Sequence, residues 1–155
     1  MSILGLSVSC GETPIEHPRL PAFASQQEVR HDIRMSRIHD WYEELRMFGL
    51  GLPEAAEEAP WGHCALKVRS KTFVFLNEEE AELSMSVKLP VSRDFALLLD
   101  FAEPTGYGLG RSGWVTARFE PDDAPDLDLL RRWIRESYKA IAPKRLSAIL
   151  SDEDT

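Results

Sequence analysis

Apolar residues begin to recur at helical spacing only from Met35. Ile38, Trp41, Leu45 and Phe48 mark one face of a helix that Ser36 can cap and Gly49 can end. Gly51-Leu52-Pro53 closes that element, and an acidic stretch with Glu54, Glu57 and Glu58 leads to Pro60-Trp61-Gly62. The period then falls to two. Leu66-Lys67-Val68-Arg69 alternates apolar with basic residues, Thr72 to Leu76 is apolar on both faces, and Leu83 to Leu89 alternates without a fault. The links around Ser70-Lys71 and Asn77 to Glu82 are short enough for antiparallel hairpins. Ser92 can cap a second helix with Phe95, Leu98, Leu99 and Ala102 as its buried stripe and Pro104 as its end. A glycine-rich loop, Gly106 to Gly113, precedes a strand from Trp114 to Phe119. Asp126 caps the last helix, which turns Leu127, Leu130, Ile134 and Ile141 inward, and Pro143 breaks it before a short turn over Leu146, Ile149 and Leu150. The order helix, three strands, helix, strand, helix predicts an α+β two-layer sandwich, a mostly antiparallel sheet with helices on one face.

Residues 1–34 show no such period and hold Pro14, Pro18 and Pro21. The change at Met35 predicts a disordered leader or an upstream over-read over 1–34, one domain over 35–150 and a frayed acidic tail over 151–155. An ordered arm is the alternative for the first segment. No apolar run approaches the roughly 20 residues that cross a bilayer, and no basic residue precedes the mildly apolar start, so a cytoplasmic protein with no membrane role is expected. Cys10 and Cys64 make no disulfide framework.

The net charge of −8 opposes general attraction to phosphate. Within 131–145, however, Arg131, Arg132, Arg135, Lys139, Lys144 and Arg145 face the single acid Glu136. Lys67 and Arg69 share the wet face of one expected strand, and Lys71 sits in or just after the turn, where charge can be presented to phosphate. Arg111 lies in the glycine loop. Trp114 falls on the wetter side of its strand, where it can stack on a base or a partner side chain. The structural reading of the same residues is edge protection by charge, complement to the helix dipole, and packing against the loop.

Other motifs carry less. Gly108-Leu109-Gly110-Arg111-Ser112-Gly113 matches a dinucleotide fingerprint, but a strand rather than a helix is expected to follow, so no nucleotide site is predicted. His63 and Cys64 are adjacent and point to opposite faces of a strand, so they cannot share one ion. No nucleophile, base and orienting group can be argued from spacing, and neither a cofactor nor a metal is expected.

Taken in order, several short blocks resemble one family. They are Leu52-Pro53 with its acidic stretch, Pro60-Trp61-Gly62, Lys67-Val68, Lys71-Thr72-Phe73, the Gly106-Tyr107-Gly108 segment before Gly113-Trp114-Val115, and Glu136-Ser137-Tyr138. Over residues 36–147 the chain resembles the YjbR/MmcQ-like proteins, whose fold is similar to frataxin and CyaY. The resemblance implies a CyaY-like fold and a DNA-binding label. It also raises an iron-collecting acidic ridge over Glu43, Glu44, Glu54, Glu57 and Glu58, against the plainer reading of a solvated face. The expectation is a non-catalytic binding module that contacts DNA through Lys67, Arg69, Lys71, Arg111 and Trp114, helped by Arg131, Arg135 and Lys139. The alternative is a protein-partner module with no nucleic-acid role. Oligomeric state is not specified by the sequence.

Overall fold

The computed structural model describes residues 25–59 and 63–153. The Pro60-Trp61-Gly62 block, residues 1–24 of the expected leader and residues 154–155 of the expected tail lie outside them. The chain falls into two units, Met1–His31 and Asp32–Thr155. The described part of the first belongs to a helix, α1 (Gln26–Leu50), that starts well before the expected cap at Ser36. A capping box starts it instead: the Ser25 hydroxyl accepts from the Glu28 N–H at 3.2 Å, and the Ser25 N–H donates to the Glu28 carboxylate at 3.0 Å. The first buried residue of this helix is Ile38, so apolar periodicity does not reveal its start.

In the second unit six strands form one antiparallel sheet. They are β1 (Ala55–Glu58), β2 (Cys64–Val68), β3 (Lys71–Glu79), β4 (Glu82–Lys88), β5 (Ala102–Pro104) and β6 (Trp114–Phe119), arranged as β1-β2-β3-β4-β6-β5. The two central hairpins close through Arg69-Ser70 and Glu80-Ala81, with all four residues at positive φ. A two-residue link matching the twist of its strands requires that conformation, and neither turn has the usual glycine or asparagine. Strand pairing therefore imposes the turn, at a cost of about 1 kcal/mol per residue. Arg69 is consequently a turn residue and not, as expected, part of the strand beside Lys67.

Four further expectations are corrected. β1 and β5 lie in segments read as an acidic stretch and as the end of a helix. The second helix, α2 (Arg93–Ala96), is a single turn that buries Ala96, while Phe95 and Leu98 of the expected stripe are 56% and 81% exposed. The short turn after Pro143 is a helix, α4 (Lys144–Glu153), which includes the first residues of the expected frayed tail.

One face of the sheet presents Leu66, Val74, Leu76, Leu83, Met85, Val87 and Val115, all fully buried. Against it pack Ile38 and Leu45 of α1 and Leu130, Trp133 and Ile134 of α3 (Leu127–Ile141). The α+β sandwich with helices on one face is thus the observed architecture. Glu136, Ser137 and Tyr138 of α3 each tie the helix to a different segment. The Glu136 carboxylate accepts from the N–H groups of Val91 and Ser92 and from the Ser92 hydroxyl, at 2.7, 2.9 and 2.6 Å. The buried Ser137 hydroxyl donates to the Phe73 carbonyl at 2.5 Å and accepts from the Lys88 N–H at 2.8 Å. Tyr138 donates to the Pro53 carbonyl at 2.6 Å.

Candidate binding surface on the second sheet face

The second face of the sheet carries the residues that alternate with the core set. Along β4 these are Ser84, Ser86 and Lys88; along β6, Trp114, Thr116 and Arg118. Ser86 pairs across the strands with Phe75 on one side and Thr116 on the other, and Lys88 pairs with Trp114. A hydroxyl line crosses its middle: Ser86 meets Thr116 at 2.7 Å and Thr116 meets Thr105 at 2.9 Å. α1 and α3 pack on the other face, and this one has the polarity of a half-wetted antiparallel sheet.

Two aromatic rings interrupt that polar surface. Phe75 and Trp114 lie 5.7 Å apart between centroids, tilted by 47°. Trp114 is on this face, as its register predicted, yet only 7% exposed, whereas Phe75 is 38% exposed. Phe75 is therefore the ring that meets solvent. The sequence reading missed it because Thr72 to Leu76 is apolar throughout, and only the register with Ser86 assigns Phe75 to the outer side. Lys88 was missed too, although the alternation of Ser84, Ser86 and Lys88 carried its signal.

The structure does not gather the eight sequence candidates into one patch. Lys67 is on the second face, with its ammonium 2.5 Å from Glu58 of the neighbouring edge strand. Arg69 pairs with Glu54 at 2.9 Å. Lys71 opens β3 and is exposed. Arg111 is exposed in a 3-10 turn, Leu109–Ser112, just ahead of Trp114. Arg131, Arg135 and Lys139 belong to α3, in the helical layer. There Arg131 pairs with Glu44 and with Asp128, and Arg135 and Lys139 line a groove beside Pro90 and Val91. Lys67, Arg111 and Trp114 thus stand near one end of the second face, while the α3 residues belong to another surface.

The acids of the supposed ridge are engaged with arginines and lysines: Glu43 and Glu57 with Arg46, Glu44 with Arg131, Glu54 with Arg69, and Glu58 with Lys67. Among the described residues no three His, Cys, Asp or Glu side chains come together as a metal site would need. Cys64 is buried and His63 exposed, with its ring nitrogen 3.1 Å from the Asn77 side-chain oxygen. Burial pushes the Cys64 thiol up to about 11, against the lowering effect of its hydrogen bond with Tyr42. A thiol so placed is a poor nucleophile at neutral pH. The glycine motif enters strand β6, and its outer glycines supply left-handed backbone, φ 79 at Gly108 and 89 at Gly113, around the 3-10 turn. Tyr107, also left-handed at φ 57, stands fully exposed in this loop.

The profile of the YjbR family matches residues 50–140, more than half of the chain. The chain belongs to the YjbR family. Its fold is similar to the crystal structure of Deinococcus radiodurans protein DR2400, of the domain family DUF419, at a TM-score of 0.54 and 24% identity over 63% of this chain and 75% of that one. No curated protein sequence matches the chain significantly. On this YjbR fold three of those blocks contribute architecture. Glu136-Ser137-Tyr138 clamps α3 to the sheet and its flanks, Pro53 receives Tyr138, and Gly113 turns the chain into β6.

Proposed function

We propose that this YjbR protein is a non-catalytic binding module and that its ligand is a single-stranded polynucleotide lying across the second sheet face. One observation carries the reading: a solvent-exposed Phe75 ring in contact with Trp114, on a face where Lys67 and Lys88 flank the pair. An exposed aromatic on an open sheet offers a π-face to any base, and nearby ammonium groups balance the backbone phosphates. Arg111 and Tyr107, exposed in the adjoining loop, extend the same chemistry. A paired Lys67 remains available, because an exposed ion pair is worth only about 0–1 kcal/mol and phosphate can displace Glu58. A single strand suits this face better than a duplex, since stacked bases in a helix hide their rings.

The test is fluorescence anisotropy of a labelled single strand and a labelled duplex, titrated with the full chain at low and then moderate salt. The expected result is saturable, strand-preferring binding whose log affinity falls with log salt at roughly 0.7 per phosphate contacted. Phe75→Ala should weaken it by about 1–3 kcal/mol, and Lys67→Glu with Lys88→Glu should weaken it further and flatten the salt slope. Absence of binding at low salt, or unchanged affinity in the Phe75→Ala protein, would overturn the reading and turn attention to a protein ligand.

A further inference from the structure

At the far end of β6 from Trp114 lies a groove of about 740 Å³ between the β5–β6 edge, the segment after α2 and the start of α3. Its apolar walls come from Phe95, Leu99, Phe101, Ala102, Phe119 and Leu129. The floor is firm, because Phe101 packs on Phe119 at 4.8 Å and on Trp133 at 6.1 Å between ring centroids. Phe95, 56% exposed, carries the apolar lining of Leu99 and Phe101 out to the surface, so the apolar patch is continuous from floor to solvent.

The charge around this groove is predominantly negative. Glu82, Asp100, Glu103, Glu120, Asp123 and Asp126 line it, against the single cation Arg118. Arg118 is already matched, at 3.0 Å to Glu82 and 2.9 Å to Glu103. Asp123 and Asp126 spend one carboxylate oxygen each on the N–H groups of Glu120 and Leu129. Asp100 and Glu120 have no ion pair to a described residue and are exposed. An anionic occupant is repelled here, and a purely apolar one leaves the rim uncompensated. An aromatic floor below carboxylates suits a guanidinium or ammonium, through ring-face attraction and charge pairing together.

We propose that this groove is a docking site for a basic segment of a partner protein, one that seats an apolar side chain beside Phe95 and Leu99 and lays an arginine or lysine between Phe101 and the carboxylate rim. The site is independent of the polynucleotide reading, which uses the opposite end of β6 and surface charge of the opposite sign. It also gives an acidic protein a use for part of its negative charge.

The probe is a short fluorescent peptide of alternating arginine and leucine, with a glutamate-for-arginine peptide as its counterpart. Both are titrated into the full chain, and the first is followed also by amide chemical-shift mapping. Saturable binding of the basic peptide, shifts centred on Leu99 to Glu103 and Glu120 to Leu129, and silence from the acidic peptide are expected. Asp100→Lys with Glu120→Lys, two exposed changes that leave the core intact, should weaken binding by about tenfold or more. Phe75→Ala should leave it unchanged, so failure of the single-strand reading does not touch this one. Shifts centred elsewhere, equal binding of the two peptides, or an undiminished affinity in the charge-reversed protein would each overturn the proposal.

Discussion

Ser137 has one hydroxyl and serves two strands with it, donating to Phe73 and accepting from Lys88 just beyond Val74↔Val87, the last pair of the β3–β4 ladder. Where strand pairing stops, backbone groups are left without ladder partners, and a buried orphan group costs about 1–3 kcal/mol. Ser137→Ala removes the partner of both at once. The expected loss is about 2–4 kcal/mol of unfolding free energy, read from urea denaturation, with the fold retained. A change under about 0.5 kcal/mol, within the usual range of a surface substitution, would mean that water replaces the hydroxyl. The sequence showed Glu136-Ser137-Tyr138 only as a block that recurs in a family. Why those three residues stand there follows from contacts to residues 44 to 85 positions away, which no local pattern encodes.

Among the elements, α1 and the sheet meet at Gly49. A Cβ built there would overlap the end of the Leu66 side chain, which is fully buried. Alanine would recover up to about 1 kcal/mol of helix propensity, while overpacking costs about 1–3 kcal/mol. Gly49→Ala should therefore be destabilising by roughly 1 kcal/mol in net, and a thermal melt that rises instead would show that Leu66 can move aside. Element type was legible wherever one period ran unbroken, as in β4 and α3. It failed where burial was decided by neighbours. Arg93 to Pro104 has apolar residues enough for a helical stripe, yet pairing of Ala102–Pro104 with β6 takes its end for the sheet and leaves one turn of helix. β1 reads as Ala55-Ala56-Glu57-Glu58, a helix-favouring composition, and is a strand because β2 offers an edge and because Arg46 and Lys67 meet its two glutamates.

For the whole molecule, charge pairing sets how stability varies with pH. Hydrogen bonding from Arg46 holds Glu57 below the usual carboxylate range, so its contribution is present above about pH 4.3 and lost as pH falls through the lower folded value. His39 is raised by its hydrogen bond to Glu78; its contribution is full below about pH 6.5 and lost as pH rises through the higher folded value. Above about pH 8.5 the buried Cys64 thiol ionises first in the unfolded chain, which lowers stability again. Unfolding free energy should accordingly be greatest between about pH 5 and 6.5, with Glu57→Gln flattening the acid limb and Glu78→Gln the neutral one. A maximum that stays in place in both variants would show that these pairs do not govern it. Patterning alone determined the α+β class, the antiparallel core strands and the burial of α3, because alternation and helical periodicity are local properties of the chain. It also carried the charged and aromatic residue types. Their grouping was decided only by the tertiary structure. Strand register turned Phe75 outward beside Trp114 and set Lys88 next to them, sent the α3 cations to another surface, and matched Lys67 and Arg69 with carboxylates. A surface patch is made of residues distant in sequence, and the distances that join them exist only once the sheet has paired.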